Sequence, residues 1–185
     1  DEAQAVGRLL TFVRNNQPSK PRVSTIIDLY GLPHKDKIDF VRLFLTSLLN
    51  ADQRLFHPCL VVIDESHKFA PEKGEGEASS REAVISLMSD GRKKLLCGML
   101  ATQRISKLDK SAVSEAHNMM IGKSTLDVDV TRAMKNLGFR QGHEIAIRSM
   151  KRGHFWTYGP ALSDEVRDCL VADTLTKSPK LGARM

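Results

Sequence analysis

Cysteine is scarce in this sequence, which has three such residues among 185: Cys59, Cys97 and Cys169. The count is odd and no pair has C-x-x-C spacing, so the pattern excludes a disulfide framework and a zinc site of the usual kind. Two of the three lie within apolar, strand-like runs. We therefore expect free, buried thiols in a reducing compartment, and hence a cytoplasmic protein.

Long hydrophobic runs are also missing. The longest, Cys59 to Ile63, is far shorter than the roughly 20 residues that a membrane-spanning helix needs, so no membrane span is expected in this chain. The opening residues, Asp1 to Gln4, lack the basic segment of a signal peptide. Because the sequence begins without Met, in what resembles the middle of a helix, we expect it to be a piece of a longer protein.

The composition is that of a globular protein. Hydrophobic residues make up 41% and charged residues 27%, which argues against intrinsic disorder. Aromatic residues are few, at 5%, and the net charge is +6. This modest positive charge is compatible with a polyanionic partner such as DNA, and also with many enzymes that bind none.

Apolar spacing predicts strands that alternate with helices. This alternation indicates an α/β fold with a mainly parallel sheet, buried on both faces and flanked by helices. A C-terminal antiparallel hairpin is expected in addition, within a single domain over 1–175 that ends in a flexible tail, 176–185. The predicted helices are 4–15, 35–50, 79–91, 126–137 and 164–172. The predicted strands are 23–29, 59–63, 95–101 and 119–121, with the hairpin formed by 145–149 and 154–158.

The clearest chemical signal is a buried strand that ends in two carboxylates. Leu60 to Ile63 are aliphatic, and Asp64 and Glu65 follow directly. Ligands of α/β proteins lie beyond the carboxyl ends of the strands. Because alternate residues point in different directions, one carboxylate can hold Mg²⁺ through its water shell while the other polarises an attacking water. The alternative interpretation is a solvated acidic turn.

A second apolar strand, Leu95 to Ala101, ends in Thr102, Gln103 and Arg104. A polar side chain beside the acidic strand can sense a phosphate or position a water molecule. Two neighbouring strands that both end in polar residues are more specific than either alone. An ordinary exit from strand to loop remains the alternative.

Residues 23–137 resemble the HerA/FtsK superfamily of hexameric DNA-translocating ATPases, and in particular its HerA-like branch. The resemblance covers more than half of the chain, and the matching stretches occur in the family's order. They are Thr25 to Leu29, Leu60 to Pro71 with its Asp-Glu-x-His-x-Phe-x-Pro run, Asp90 to Lys93, and Ala101 to Arg104.

The resemblance implies a RecA-like P-loop NTPase core that hydrolyses ATP with Mg²⁺ in a ring, a hexamer in the family. It implies that Asp64 helps to coordinate Mg²⁺, that Glu65 is the general base and that Gln103 is the sensor beside it. Arg92 looks like the arginine that family members present to a nucleotide, often across a subunit interface, although a helix-end cation is the simpler interpretation. Arg104 is a second candidate for contact with the nucleotide.

DNA is the partner that the resemblance implies, and the region of Arg104, Lys107 and Lys110 is the candidate loop for its phosphates. A solvated basic face is the alternative. Three roles remain open: DNA processing together with a nuclease partner, conjugation or secretion, and a phage function. His67 is expected to pack beneath the acidic turn.

One motif of the family is missing, since the sequence contains no G-x-x-x-x-G-K-[ST] phosphate loop. Gly122 to Thr125 imitates only the end of that loop and follows the acidic strand instead of preceding it. We therefore expect this chain by itself to bind ATP weakly or not at all, and to be inactive outside a complete parent ATPase. The alternatives are a degenerate ATPase-like module that binds DNA or protein, and a fragment of a superfamily 2 helicase, for which the arginine-rich box is absent.

Overall fold

The computed structural model describes residues 24–52, 58–76, 78–140 and 142–173. These residues divide into two compact units at the Ala116–His117 boundary. The single domain expected over 1–175 stays a prediction. The helix predicted at 4–15 and the tail at 176–185 lie outside the described residues, and within these no helix combines the length and apolar character needed to cross a membrane.

The first unit contains a two-stranded parallel sheet, one helix that packs on it and a second helix that packs on the first. The helices are α1 (His34–Asn50) and α2 (Arg81–Asp90), and the strands are β1 (Cys59–Ile63) and β2 (Leu96–Leu100). A short third helix, α3 (Lys110–Ser114), begins at Asp109, whose side chain accepts backbone hydrogen bonds from Ser111 and Ala112. Apolar residues recur at helical spacing in α1 and α2, so each helix buries one face. The buried residues of α1 and α2 are Ile38, Leu45, Leu48, Val84 and Leu87.

A close approach fixes α2 on the sheet. A Cβ added at Gly98 of β2 would come within 2.5 Å of the Met88 sulfur and 3.3 Å of Leu87. Glycine therefore lets β2 lie this near α2 without displacing the Met88 side chain. This contact accounts for the glycine in an otherwise apolar strand.

The expectation of a sheet buried on both faces is wrong for the described residues. Ile63 and Leu96 are buried, but Leu60 is 53% and Val62 57% exposed, and Met99 is 51% exposed. Side chains alternate between the faces of a strand, so one face of this sheet is covered, with α2 packed on it. The other face has no covering element among the residues that the structure describes.

The strand predicted at 23–29 is also wrong over Ser24 to Leu29, which lie in neither helix nor strand, and Ile26 is 93% exposed. β-branched residues favour a strand only where a neighbouring strand pairs with them. The three cysteines are free thiols, but their expected burial is wrong as well, because Cys97 is exposed and Cys59 and Cys169 are partly exposed.

The second unit is a three-stranded antiparallel sheet in the order β3–β4–β5, with two helices. Its strands are β3 (Met119–Ile121), β4 (His154–Gly159) and β5 (Ser163–Leu170). Its helices are α4 (Asp127–Leu137), which ends at Gly138 with a φ of 68°, and α5 (Glu144–Arg148). The buried core comprises Ile121, Val130, Ala133, Met134, Leu137, Ile147 and Met150.

The C-terminal hairpin exists, but its strands differ from the prediction. Residues 145–149, predicted as its first strand, belong mostly to α5, and 164–172, predicted as a helix, belong mostly to β5. Ile145 is 74% exposed whereas Ile147 is fully buried. Residues two apart share a face in a strand but lie on different sides of a helix, so this contrast agrees with α5. The pairing of β5 with β4, from His154 opposite Leu170 to Gly159 opposite Ser163, decides the structure.

Candidate active site at the carboxyl ends of two parallel strands

The parallel register of β1 and β2 brings the two predicted polar strand ends together. Ile63 lies opposite Leu100, and the Ala101 backbone N–H donates to the Ile63 carbonyl at 3.0 Å. Beyond the strands, the Ser66 backbone N–H and hydroxyl both donate to the Ala101 carbonyl at 2.9 Å. Ser66 is completely buried. The segments that carry Asp64 and Gln103 are therefore fastened to one another.

A tight turn presents the two carboxylates differently. Glu65 has left-handed backbone angles, with φ 48° and ψ 40°, and a short 3₁₀ helix, Ser66–Lys68, follows it. This conformation is uncommon for a residue other than glycine and is typical of functional sites. The Asp64 carboxylate accepts a hydrogen bond from the Glu65 backbone N–H at 2.8 Å. Asp64 itself is exposed, so its remaining oxygen lone pairs face water.

Glu65 contacts the end of the neighbouring strand. The Gln103 amide donates to Glu65 Oε1 at 3.2 Å. The other oxygen, Oε2, is buried and has no hydrogen-bond partner among the described residues. The two residues that sequence analysis assigned as base and sensor are thus in direct contact.

His67 lies beside the same carboxylate. Its Nδ1 is 3.4 Å from Glu65 Oε2 and 2.9 Å from the Thr102 hydroxyl oxygen. Burial lowers the pKa of His67 below its usual 6.5, the Glu65 carboxylate opposes this, and the cations Lys68, Arg104 and Lys107 add to it. The imidazole is therefore neutral at physiological pH, as a residue packed beneath the acidic turn is expected to be.

The structure does not bring Arg92 to this site. Arg92 is exposed in the 3₁₀ helix Gly91–Lys94, which precedes β2, whereas the carboxylates lie beyond the opposite end of the sheet. Five strand residues at about 3.3 Å each separate the two ends by roughly 16 Å. Arg104, in contrast, lies at the carboxylate end, where its backbone N–H donates to the Thr102 hydroxyl at 3.0 Å.

Two of the predicted DNA-binding lysines contact carboxylates of a neighbouring loop. Lys107 pairs with Glu75 at 3.0 Å and Lys110 with Glu72 at 3.6 Å. Backbone bonds hold the loops together, since the Glu72 N–H donates to the Lys107 carbonyl at 2.8 Å and the Asp109 N–H to the Ala70 carbonyl at 2.9 Å. The lysines are therefore near the candidate site but carry acidic partners.

The phosphate-loop imitation at Gly122 has a packing explanation. A Cβ at Gly122 would lie 3.0 Å from the Phe155 ring, so this glycine allows β3 and β4 to pack closely. Sequence analysis missed two features of the site: the contact of His67 with Thr102, and the acidic partners of the lysines. Each of these contacts joins segments that are far apart in the chain. The sequence therefore contained no signal for either feature beyond the positions of these residues in or near the motifs.

No family model matches this chain. No curated protein sequence matches it either. Solved structures do match, among them those of the genome packaging NTPase B204 from Sulfolobus turreted icosahedral virus 2. The complex with ATP-gammaS has a TM-score of 0.52 and 16% identity over 68% of this chain, and the complex with AMPPCP has a TM-score of 0.53 and 15% identity over 70%.

The chain spans about three fifths of those structures, 59% of the ATP-gammaS complex and 63% of the AMPPCP complex. At this identity the likeness shows the fold. The chain therefore has the mixed α/β fold of the P-loop NTPases, with a parallel sheet and a separate antiparallel one.

Proposed function

We propose that this chain is the acidic-strand part of an ATP-hydrolysing motor that moves DNA, a ring-forming translocase or helicase of the HerA/FtsK superfamily. One observation carries the proposal most strongly: the contact of Glu65 with Gln103 at the carboxyl ends of two parallel strands. That edge is where α/β proteins bind ligands. A turn with only a structural role needs neither a glutamate in the left-handed conformation nor a carboxylate held by the amide of a neighbouring segment.

The exposed Asp64 carboxylate fits a magnesium ion. Mg²⁺ keeps several water molecules and takes one or two carboxylates together with substrate phosphates. No group of three or more potential metal ligands occurs among the residues that the structure describes. Asp64 would thus hold the ion largely through water, and the ion would supply charge neutralisation on the phosphates.

Glu65 is the general base of the proposed reaction. Its carboxylate accepts the proton of a water molecule as the water oxygen bonds to the γ-phosphorus, and the bond from phosphorus to the bridging oxygen breaks to release ADP. The Gln103 amide orients this carboxylate, and the same amide is placed to contact the water or the γ-phosphate. Glu65 Oε2, which is buried without a partner, is the oxygen with unused acceptor capacity.

Arg92 acts on a nucleotide of a neighbouring subunit in this proposal. Its own strand end is remote from the carboxylates, so only a second copy can bring its guanidinium to a phosphate. This placement favours a ring over a monomer as the active form. Arg104, which lies at the carboxylate end, is the candidate for contact with nucleotide within the subunit.

DNA contacts are assigned to Arg104, Lys107 and Lys110. The acidic partners Glu72 and Glu75 leave these lysines when phosphates replace them. Because the sequence contains no phosphate loop, hydrolysis requires one from elsewhere, either in a longer protein that includes this chain or in another chain. The sequence of that longer protein would indicate whether the partner is a nuclease or a component of a secretion system.

The experiment is DNA-stimulated ATP hydrolysis by the 185-residue chain and by the longest natural protein that contains it, each with Glu65→Gln. We expect turnover in the longer protein and a loss of about 10²–10⁴-fold in the variant, with nucleotide binding retained. Glutamine keeps the oxygen that accepts from Gln103. Glu82→Gln, an exposed carboxylate of α2, is the matched control and should be neutral.

Near-normal hydrolysis by the Glu65→Gln protein would refute the base assignment. No hydrolysis by either wild-type protein, with DNA binding retained, would favour the binding module over the motor. Hydrolysis by the 185-residue chain itself would show that its phosphate site needs no separate loop.

A further inference from the structure

His67 occupies the position between the proposed base and the end of the neighbouring strand. A single ring nitrogen, Nδ1, faces both Thr102 Oγ1 at 2.9 Å and Glu65 Oε2 at 3.4 Å. The first distance is that of a hydrogen bond, and the second lacks hydrogen-bond geometry, since Oε2 has no partner among the described residues. The His67 side chain is 15% exposed, so water is largely excluded from this contact.

The unpartnered oxygen makes this arrangement costly as it stands. A buried acceptor without a donor destabilises a protein, and more so when the acceptor is charged. The other oxygen of the carboxylate is already occupied by the Gln103 amide. A movement of a few tenths of an ångström would let His67 Nδ1 reach hydrogen-bond distance of Oε2.

The tautomer of the neutral ring determines whether His67 can donate to that oxygen. If the proton is on Nε2, the Thr102 hydroxyl donates to Nδ1, and the Nδ1 lone pair then faces the carboxylate. If the proton is on Nδ1, it can be donated either to Thr102 or to Glu65. Thr102 Oγ1 already accepts the Arg104 backbone N–H at 3.0 Å and keeps a second lone pair for Nδ1. A carboxylate oxygen accepts the stronger, charge-assisted bond, so Glu65 is the better acceptor of the two.

We propose that His67 is a positioning residue for the base. Its Nδ1–H exchanges between Thr102 and Glu65, and this exchange sets the orientation of the Glu65 carboxylate according to the state of the end of the neighbouring strand, where Thr102 lies. The Gln103 amide and the His67 ring then hold the two oxygens of Glu65 from two sides. When Nδ1–H is on Thr102, the Gln103 amide alone, among the described residues, holds the carboxylate. This inference rests on the proposed function and adds a residue to its site.

The direct test is the tautomer of His67 in the 185-residue chain near neutral pH. Two-bond ¹H–¹⁵N correlation of the imidazole distinguishes a protonated Nδ1 from a protonated Nε2. We expect Nδ1–H in the wild-type chain and also in Thr102→Val, because Glu65 still accepts the proton there. An Nε2–H tautomer in the wild-type chain would overturn the proposal, since His67 would then only receive a bond from Thr102.

A kinetic test uses ATP hydrolysis by the natural protein that contains this chain. We expect His67→Leu to lower kcat roughly tenfold to a hundredfold with KM unchanged, as a misplaced catalytic group does. His67→Asn places an amide near the Nδ1 position and should recover most of kcat. Equal losses in the two variants, at equal melting temperatures, would overturn the proposal, because a purely structural role gives no reason for rescue by asparagine.

The two proposals fail in different ways. An active Glu65→Gln protein would remove the base and leave the tautomer result standing. An Nε2–H tautomer combined with an inactive Glu65→Gln protein would remove the role of His67 and leave the base intact.

Discussion

At the residue scale, the site is organised by the left-handed turn at Glu65. A non-glycine residue in this region carries an intrinsic backbone cost of about 1–2 kcal/mol, and here the φ is 48°. The Asp64 carboxylate and the paired bonds from Ser66 to Ala101 offset that cost. The turn separates the environments of two consecutive carboxylates, so that one is exposed and the other contacts Gln103.

The pKa of His67 leads to a prediction about stability. Burial lowers this pKa in the folded chain, so the unfolded chain takes up a proton first as the pH falls through 6.5. The contribution to the free energy of unfolding is therefore fully present above pH 6.5 and decreases below it. We expect the wild-type chain to lose more stability between pH 7 and 5 than His67→Asn, as measured by urea denaturation at closely spaced pH values.

The comparison of the wild-type chain with His67→Asn isolates the effect of the imidazole, because every other titrating group is common to both chains. Asp90, whose pKa is lowered mainly by a hydrogen bond from Lys93, loses its contribution only below its usual pKa of about 3.8, outside this window. Parallel stability curves from pH 7 to 5 would contradict the assignment of a depressed pKa to His67.

At the element scale, helix ends determine where chain segments turn towards the sheets. Asp109 caps α3 with its side chain, and Gly138 ends α4 in the left-handed region with a φ of 68°. In both cases the residue type follows from the backbone groups left without partners at a helix end. The end of the predicted helix 126–137 agrees with the observed end at Gly138, because capping depends on local chemistry.

Gly138 offers a clean measurement of backbone strain, because a Cβ added there would meet nothing within 4 Å. We expect Gly138→Ala to lower the free energy of unfolding by about 1–2 kcal/mol through the left-handed conformation alone. Asparagine tolerates this conformation, so Gly138→Asn should cost clearly less. Urea denaturation of both variants, followed through the Trp156 fluorescence of the same unit, tests the prediction.

A loss in Gly138→Asn as large as that in Gly138→Ala would show that something other than backbone conformation limits this position. No loss in either variant would show that α4 does not end at Gly138 in solution.

At the scale of the whole molecule, charge is distributed so that basic residues near the candidate site carry acidic partners. The chain has a net charge of +6, yet Lys107 and Lys110 pair with Glu75 and Glu72. Of the two acidic side chains, that of Glu75 is the more exposed, at 43% against 16% for Glu72. Exposed ion pairs are worth about 0.2–1 kcal/mol, so DNA phosphates can displace Glu75 from Lys107 at modest cost.

We expect Glu75→Gln to raise the affinity of the chain for double-stranded DNA about twofold to fivefold, since Lys107 is then unpaired before binding. Lys107→Gln should weaken binding and reduce the slope of log affinity against log salt concentration by about one. Fluorescence anisotropy across a salt series measures both effects. Glu82→Gln makes the same change of charge on α2 and is the matched control.

Equal gains from Glu75→Gln and Glu82→Gln would mean that only the net charge matters. An unchanged salt dependence in Lys107→Gln would remove Lys107 from the DNA-binding residues while leaving the proposed hydrolytic site unaffected.

Local sequence patterns determined much of this protein. They predicted α1, α2, α4 and both parallel strands, as well as the polar residues at the strand ends, because apolar spacing and helix capping act over a few residues. They also predicted that Glu65 and Gln103 lie at one edge, since the carboxyl ends of parallel strands coincide. The family resemblance added roles for those residues.

The tertiary structure decided the rest. The change of 164–172 from a predicted helix to β5, the exposed face at Leu60 and Val62, the remoteness of Arg92 and the acidic partners of Lys107 and Lys110 all depend on residues distant in the chain. A strand exists only where another strand supplies its hydrogen bonds, and a charge acts according to what faces it across space. Neither the pairing partner of a strand nor the group that faces a charge is fixed by the residues next to it in the sequence.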